Sequence, residues 1–124
     1  MKTLKRSAVL LLAAAMLLGC FTITAYATST SYTGTYSGNS YTATLQAAPS
    51  ASTATIVYNN STALVSLSGS VKYYNQSNIV SYTDNLSASG SGYASSSLGS
   101  RSSSFASATC NYYIKGNQVK TLTV

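Results

Sequence analysis

The apolar positions divide the chain into two parts. Every residue from Ala8 to Leu18 is apolar. Beyond Thr28 the pattern changes to strict alternation, with aliphatic or tyrosine side chains at every second position and Ser or Thr between them. A period of two is the signature of a half-buried strand, because successive side chains leave a pleated backbone on opposite faces. A first strand is expected over Ser31 to Ser37, with Tyr32, Gly34 and Tyr36 on one face and Thr33 and Thr35 on the other. Gly38-Asn39 then reads as a two-residue hairpin turn, since both residue types tolerate positive φ. A second strand, Ser40 to Ala47, alternates Tyr41, Ala43 and Leu45 against Thr42, Thr44 and Gln46. Pro49 ends it, because proline has no N–H to give to a ladder.

The third strand spans Ser52 to Tyr58, with Ala54, Ile56 and Tyr58 inward, and Asn59-Asn60-Ser61 turns the chain. The fourth places Ala63, Val65, Leu67, Gly69, Val71 and Tyr73 on one face, and Gly69 is expected at a bulge or bend. A short strand from Asn78 to Thr83 follows the Asn75-Gln76-Ser77 turn, and Asp84-Asn85 predicts another turn. The sixth strand runs from Leu86 to Ser95, and a loop covers Ser95 to Ser104. The seventh, Ser104 to Lys115, turns Ala106, Ala108, Cys110, Tyr112 and Ile114 inward. A turn at Lys115-Gly116-Asn117-Gln118 leads into a last strand, Val119 to Val124. About eight strands joined by hairpin-type turns predict an all-β fold, an antiparallel β-sandwich of immunoglobulin-like or jelly-roll type. Hairpins exclude a parallel βαβ layout, which needs long crossovers.

The apolar N-terminal part is a different object. Lys2, Lys5 and Arg6 precede the Ala8–Leu18 run, and Ala25-Tyr26-Ala27 supplies the small residues that a signal peptidase reads. The expected organisation is a signal peptide over residues 1–27 and one domain over residues 28–124, secreted to the cell exterior. Leu17-Leu18-Gly19-Cys20 resembles the lipobox of bacterial lipoproteins. Lipidation of Cys20 is the one route by which the mature protein would be held at a membrane.

Removing the leader changes the charge. Three of the seven basic residues lie in it, which leaves Lys72, Arg101, Lys115 and Lys120 against Asp84, a net charge of about +3. These charges are scattered, so there is no dense basic stripe for a nucleic-acid backbone. The remaining composition, more than a third Ser and Thr with ten Tyr and a single proline, favours folded β structure over disorder. Cys110 is then the one cysteine of the mature chain, read as a buried thiol, with an intermolecular bridge as the alternative.

The mature chain has no His, no Glu and one Asp. Neither a paired-carboxylate glycosidase nor a Ser-His-Asp triad can be assembled from these residues. A Ser–Lys dyad needs a desolvated lysine, whereas Lys72 and Lys115 fall on outward phases. No zinc or calcium ligand set is present. The expectation is a protein without catalytic residues, cofactor or metal.

Three surface features carry what remains. Thr33-Gly34-Thr35, Thr42-Ala43-Thr44 and Thr53-Ala54-Thr55 would stack as a threonine array, which resembles the T-x-T rows of ice-binding proteins. Of the tyrosines, Tyr32, Tyr36, Tyr41, Tyr58, Tyr73 and Tyr112 read as core, and Tyr74, Tyr82, Tyr93 and Tyr113 as surface. Phe105 shares a strand phase with Tyr113, so Phe105, Tyr113 and Tyr93 are the candidate contact residues. Asn59, Asn60, Asn75 and Asn85 stand in N-x-S/T triplets, which are common by chance in so Ser- and Thr-rich a chain.

The A-x-A leader followed by segments such as Ser87-Ala88-Ser89-Gly90-Ser91-Gly92-Tyr93 resembles short Ser/Thr/Tyr-rich secreted β proteins of Gram-positive bacteria. The stretch Ser102 to Thr109 is similar in texture to the lactococcin-972-like bacteriocins, small exported β-sandwich proteins that interfere with cell-wall synthesis. The Trp and His residues of that group are absent here, so no functional residue is carried over. The leading expectation is a secreted, non-enzymatic structural or adhesion-like interaction module. Its partner is a cell-envelope component, a glycan or another copy of itself. A bacteriocin-like antibacterial protein and a carbohydrate-binding module are the alternatives.

Overall fold

The computed structural model describes residues 27–124. The signal-peptide reading and Cys20 therefore lie outside the described residues. Eight strands follow in order: β1 (Thr28–Tyr36), β2 (Asn39–Ala47), β3 (Ser52–Tyr58), β4 (Leu64–Tyr74), β5 (Val80–Ser91), β6 (Tyr93–Leu98), β7 (Phe105–Ile114) and β8 (Asn117–Thr123). All pairings are antiparallel, in two four-stranded sheets of order β1-β2-β3-β6 and β5-β4-β7-β8. The sheets pack face to face, β1 over β8, β2 over β7 and β3 over β4. The fold is an all-β sandwich.

Alternation sets the faces as expected. Tyr41, Ala43 and Leu45 of β2, Ala54, Ile56 and Tyr58 of β3, Val65, Leu67, Val71 and Tyr73 of β4, and Ala106, Ala108, Cys110, Tyr112 and Ile114 of β7 are all buried. With few large aliphatic residues, tyrosine fills the core, and its length suits a gap of roughly 10 Å between packed sheets. Two phenols cross that gap. Tyr41 Oη donates to Val119 O on β8 at 3.1 Å, and Tyr112 Oη donates to Thr44 O on β2. Tyr58 Oη donates to Tyr36 O at 2.8 Å within its own sheet. Tyr41, Tyr58 and Tyr112 thus satisfy their hydroxyls on backbone carbonyls, whereas the hydroxyl of fully buried Tyr73 has no hydrogen-bond partner among the described residues.

Five details differ from the sequence reading. The first turn is Ser37-Gly38, one residue earlier than Gly38-Asn39, with φ of 48° and 79°. Both central residues of such a turn need positive φ, and the ladder that closes at Tyr36 and Asn39 decides which two supply it. Gly69 sits in unbroken register opposite Leu86 and Cys110, so it marks no bulge. A Cβ there would lie 2.2 Å from Thr109 O, so the glycine permits close backbone approach.

Asp84-Asn85 is not a turn. Both residues lie inside β5, paired with Val71 and Ser70. Ladder pairing along β4 outweighs the local turn preference of these residues. The chain instead turns at Gly92 (φ 70°), whose N–H donates to Ala63 O and whose carbonyl accepts from Tyr58 N, both at 2.8 Å. The predicted sixth strand is therefore split between the sheets, and β6 continues to Leu98, shortening the predicted loop. Finally, Tyr32 points toward β8 but remains 39% exposed, because β1 is an edge strand with little above it.

Candidate functional site

The outer face of the β1-β2-β3-β6 sheet is dominated by hydroxyl side chains. Register aligns its side chains in rows: Ser31, Thr44, Thr55 and Ser95; Thr33, Thr42, Val57 and Tyr93; Ser29, Gln46, Thr53 and Ser97. Thr33 and Thr42 hydroxyls are 3.1 Å apart, and those of Thr55 and Ser95 are 3.2 Å apart. The three T-x-T segments share this face but do not form three-strand threonine rows. Thr42 is followed by Val57, and Thr53 is preceded by Gln46. No residue of these rows is charged.

The candidate contact residues are placed apart. Phe105 and Tyr113 share the outer face of the second sheet but stand eight residues apart on β7, roughly 26 Å at the rise of a strand. Tyr93 is 56% exposed on the first sheet, on the opposite side of the sandwich, beside Val57 at 48%. Phe105 instead stacks on Tyr74, with ring centroids 4.6 Å apart and planes 6° from parallel. This stack borders an open depression of about 480 Å³ lined by Pro49, Gln76, Ser103, Ser104 and Phe105. Its chemistry is an aromatic edge with amide and hydroxyl groups. Tyr113 lies between Ser66 and Gln118 in the other rows.

No family model, curated protein or solved structure matches this chain.

Asp84, Arg101 and Lys120 are held in structural contacts. Asp84 accepts both Arg101 Nε (2.7 Å) and Arg101 Nη2 (3.0 Å). The same guanidinium lies 4.1 Å from the Tyr82 ring centroid, and Arg101 N donates to Pro49 O at 2.8 Å. The Asp84 hydrogen bond raises the Arg101 pKa. The sequence reading missed this clamp, since the two residues are 17 positions apart and only the fold of the 99–104 loop joins them. Lys120 Nζ sits 3.8 Å from the Tyr32 ring centroid.

Cys110 is free and fully buried, and burial pushes its thiol pKa up. Burial also lifts the Tyr112 phenol well above its ordinary range, with Cys110 beside it adding to the effect. Tyr41 shifts upward for the same first reason, then through Tyr32. Raised values mean these groups stay protonated, the inverse of an activated nucleophile. Among the described residues no three His, Cys, Asp or Glu side chains come together. Asn60 and Asn75 spend their side-chain oxygens on local turns, accepting from Thr62 N and from Ser77 N and Ile79 N.

Proposed function

We propose that the protein is exported, loses its leader after Ala27, and acts outside the cell as a non-enzymatic interaction module. One observation carries this reading: the outer face of β1-β2-β3-β6 is an uncharged array dominated by hydroxyls, with Gln46 adding an amide and Val57 and Tyr93 as its exposed apolar members. Such a face offers many weak, directional hydrogen bonds and nothing that attracts phosphate or metal. It suits neutral partners of the same chemistry, an envelope polysaccharide or another copy of the protein. The pairing of Asp84 with Arg101 and the sealed, protonated Cys110 support a role without covalent chemistry.

The test is expression of the full chain in an exporting bacterial host. Mass spectrometry of the product is expected to give Thr28 as first residue, in the medium or bound to envelope. A lipidated Cys20 would replace the soluble form with an anchored one. Purified protein is expected to leave related bacteria growing normally; killing them would overturn the interaction-module reading in favour of an antibacterial protein. A glycan screen with Phe105→Ala and Tyr93→Ala variants then separates the end depression from the hydroxyl face.

A further inference from the structure

A sandwich of two open sheets has four edges, and each exposes unpaired backbone groups that can recruit another strand. Three of the four are guarded. β6 is six residues long and lies beside β5, where Ser96 Oγ accepts from Ser87 N at 3.2 Å. β5 carries Asp84 clamped by Arg101, and its register shifts between Tyr73 and Tyr74 of the neighbouring strand. β8 has its pairing with β7 shifted between Tyr112 and Tyr113, and its Lys120 reaches across to the Tyr32 ring of β1. Lysines, irregular registers and short strands are the usual means of blunting an edge.

β1 has none of them. It is nine residues long, holds no charge and no proline, and pairs with β2 in one uninterrupted register from Thr28 to Tyr36. The pair Tyr36 and Asn39 closes a two-residue turn, so it is a hydrogen-bonded pair, and alternate residues back to Thr28 share that role. Ser29, Ser31, Thr33 and Thr35 therefore turn their N–H and C=O groups away from β2. No described strand meets them.

Resting on the interaction-module reading, we infer that two copies of this chain join antiparallel through their β1 edges about a two-fold axis. The strand is complementary to itself in two independent respects. Full overlap of the nine residues sets Ser29 against Thr35 and Ser31 against Thr33 of the second copy, which are the residues with free backbone groups. This alignment closes about eight new hydrogen bonds. The same overlap brings Tyr32, the central residue, opposite Tyr32 of the second copy. Tyr32 is the inward-phase tyrosine that the single chain leaves 39% exposed, tilted against Tyr41 at a centroid distance of 6.0 Å. Pairing covers it. The two hydroxyl faces become one eight-stranded surface, doubling the area presented to a neutral partner.

The experiment uses protein recovered after expression of the full chain in an exporting host. Sedimentation is expected to show a dimer. Thr33→Pro removes an N–H that the β1–β2 ladder does not use, so circular dichroism should be unchanged while dimer affinity falls about tenfold. Tyr32→Cys should form a disulfide-linked dimer under mild oxidation, because position 32 meets itself at a close pair. Thr35→Cys alone should not, whereas mixing it with Ser29→Cys should. Buried Cys110 does not compete. A monomer at all concentrations, or a dimer indifferent to Thr33→Pro with no preferential cross-link at position 32, overturns edge pairing and leaves the export reading standing. A β1-paired dimer retained inside the cell overturns export alone.

Discussion

At Gly69 the sandwich has no room for a methyl group. A Cβ would meet Thr109 O at 2.2 Å and Cys110 Cα at 2.7 Å, both backbone atoms that cannot swing aside. Gly69→Ala is therefore expected to cost about 1–3 kcal/mol through forced separation of β4 and β7. A thermal melt checks it, and a drop of several degrees is expected for a domain of this size. The glycine was legible in the sequence as an anomaly in a strand, but its reason was not. Alternation places residue 69 on the inner face; only the neighbouring strand, 40 residues later, shows that what excludes a side chain is another backbone.

Individual strands show where local preference yields to pairing. Asp84-Asn85 has the composition of a turn, yet β5 runs through it because Val71 and Ser70 supply ladder partners and Arg101 binds the carboxylate. The clamp ties the 99–104 loop to β5, with Pro49 O accepting from Arg101 N. Arg101→Ala is expected to speed amide exchange in residues 99–104 and to free the Tyr82 ring, with little change in the global melting temperature. Exchange rates measured by NMR or mass spectrometry decide this; protection unchanged from wild type would mean that the backbone contacts alone hold the loop. High salt should reproduce part of the effect, since the pair is solvent-exposed.

For the molecule as a whole, the tyrosine core makes stability sensitive to base. Cys110, Tyr41 and Tyr112 all resist ionisation in the folded state, chiefly through burial. Their folded pKa values lie above the unfolded ones, so the unfolded chain loses protons first as pH rises. The stabilisation is full below the unfolded values, near 9.0 for the thiol and 10.0 for the phenols. It declines as pH climbs past them. Melting temperature should therefore stay flat through neutral pH and fall above about pH 9, and Cys110→Ala should move the onset toward about pH 10. A decline that begins well below pH 8 would contradict this assignment.

By itself the sequence determined the strands of β2, β3, β4 and β7, the face on which each side chain lies and the inward place of Cys110. It also set the chemistry available, with hydroxyls and amides in abundance and one carboxylate. All of this follows from the two-residue pleat and from composition, which are local properties. Tertiary structure decided everything that depends on a neighbour. It separated Phe105 from Tyr113 along one strand, interrupted the threonine rows with Val57 and Gln46, and left Tyr32 half uncovered at an edge. Register is a long-range choice made by the summed packing of both sheets, so no window of the chain contains it.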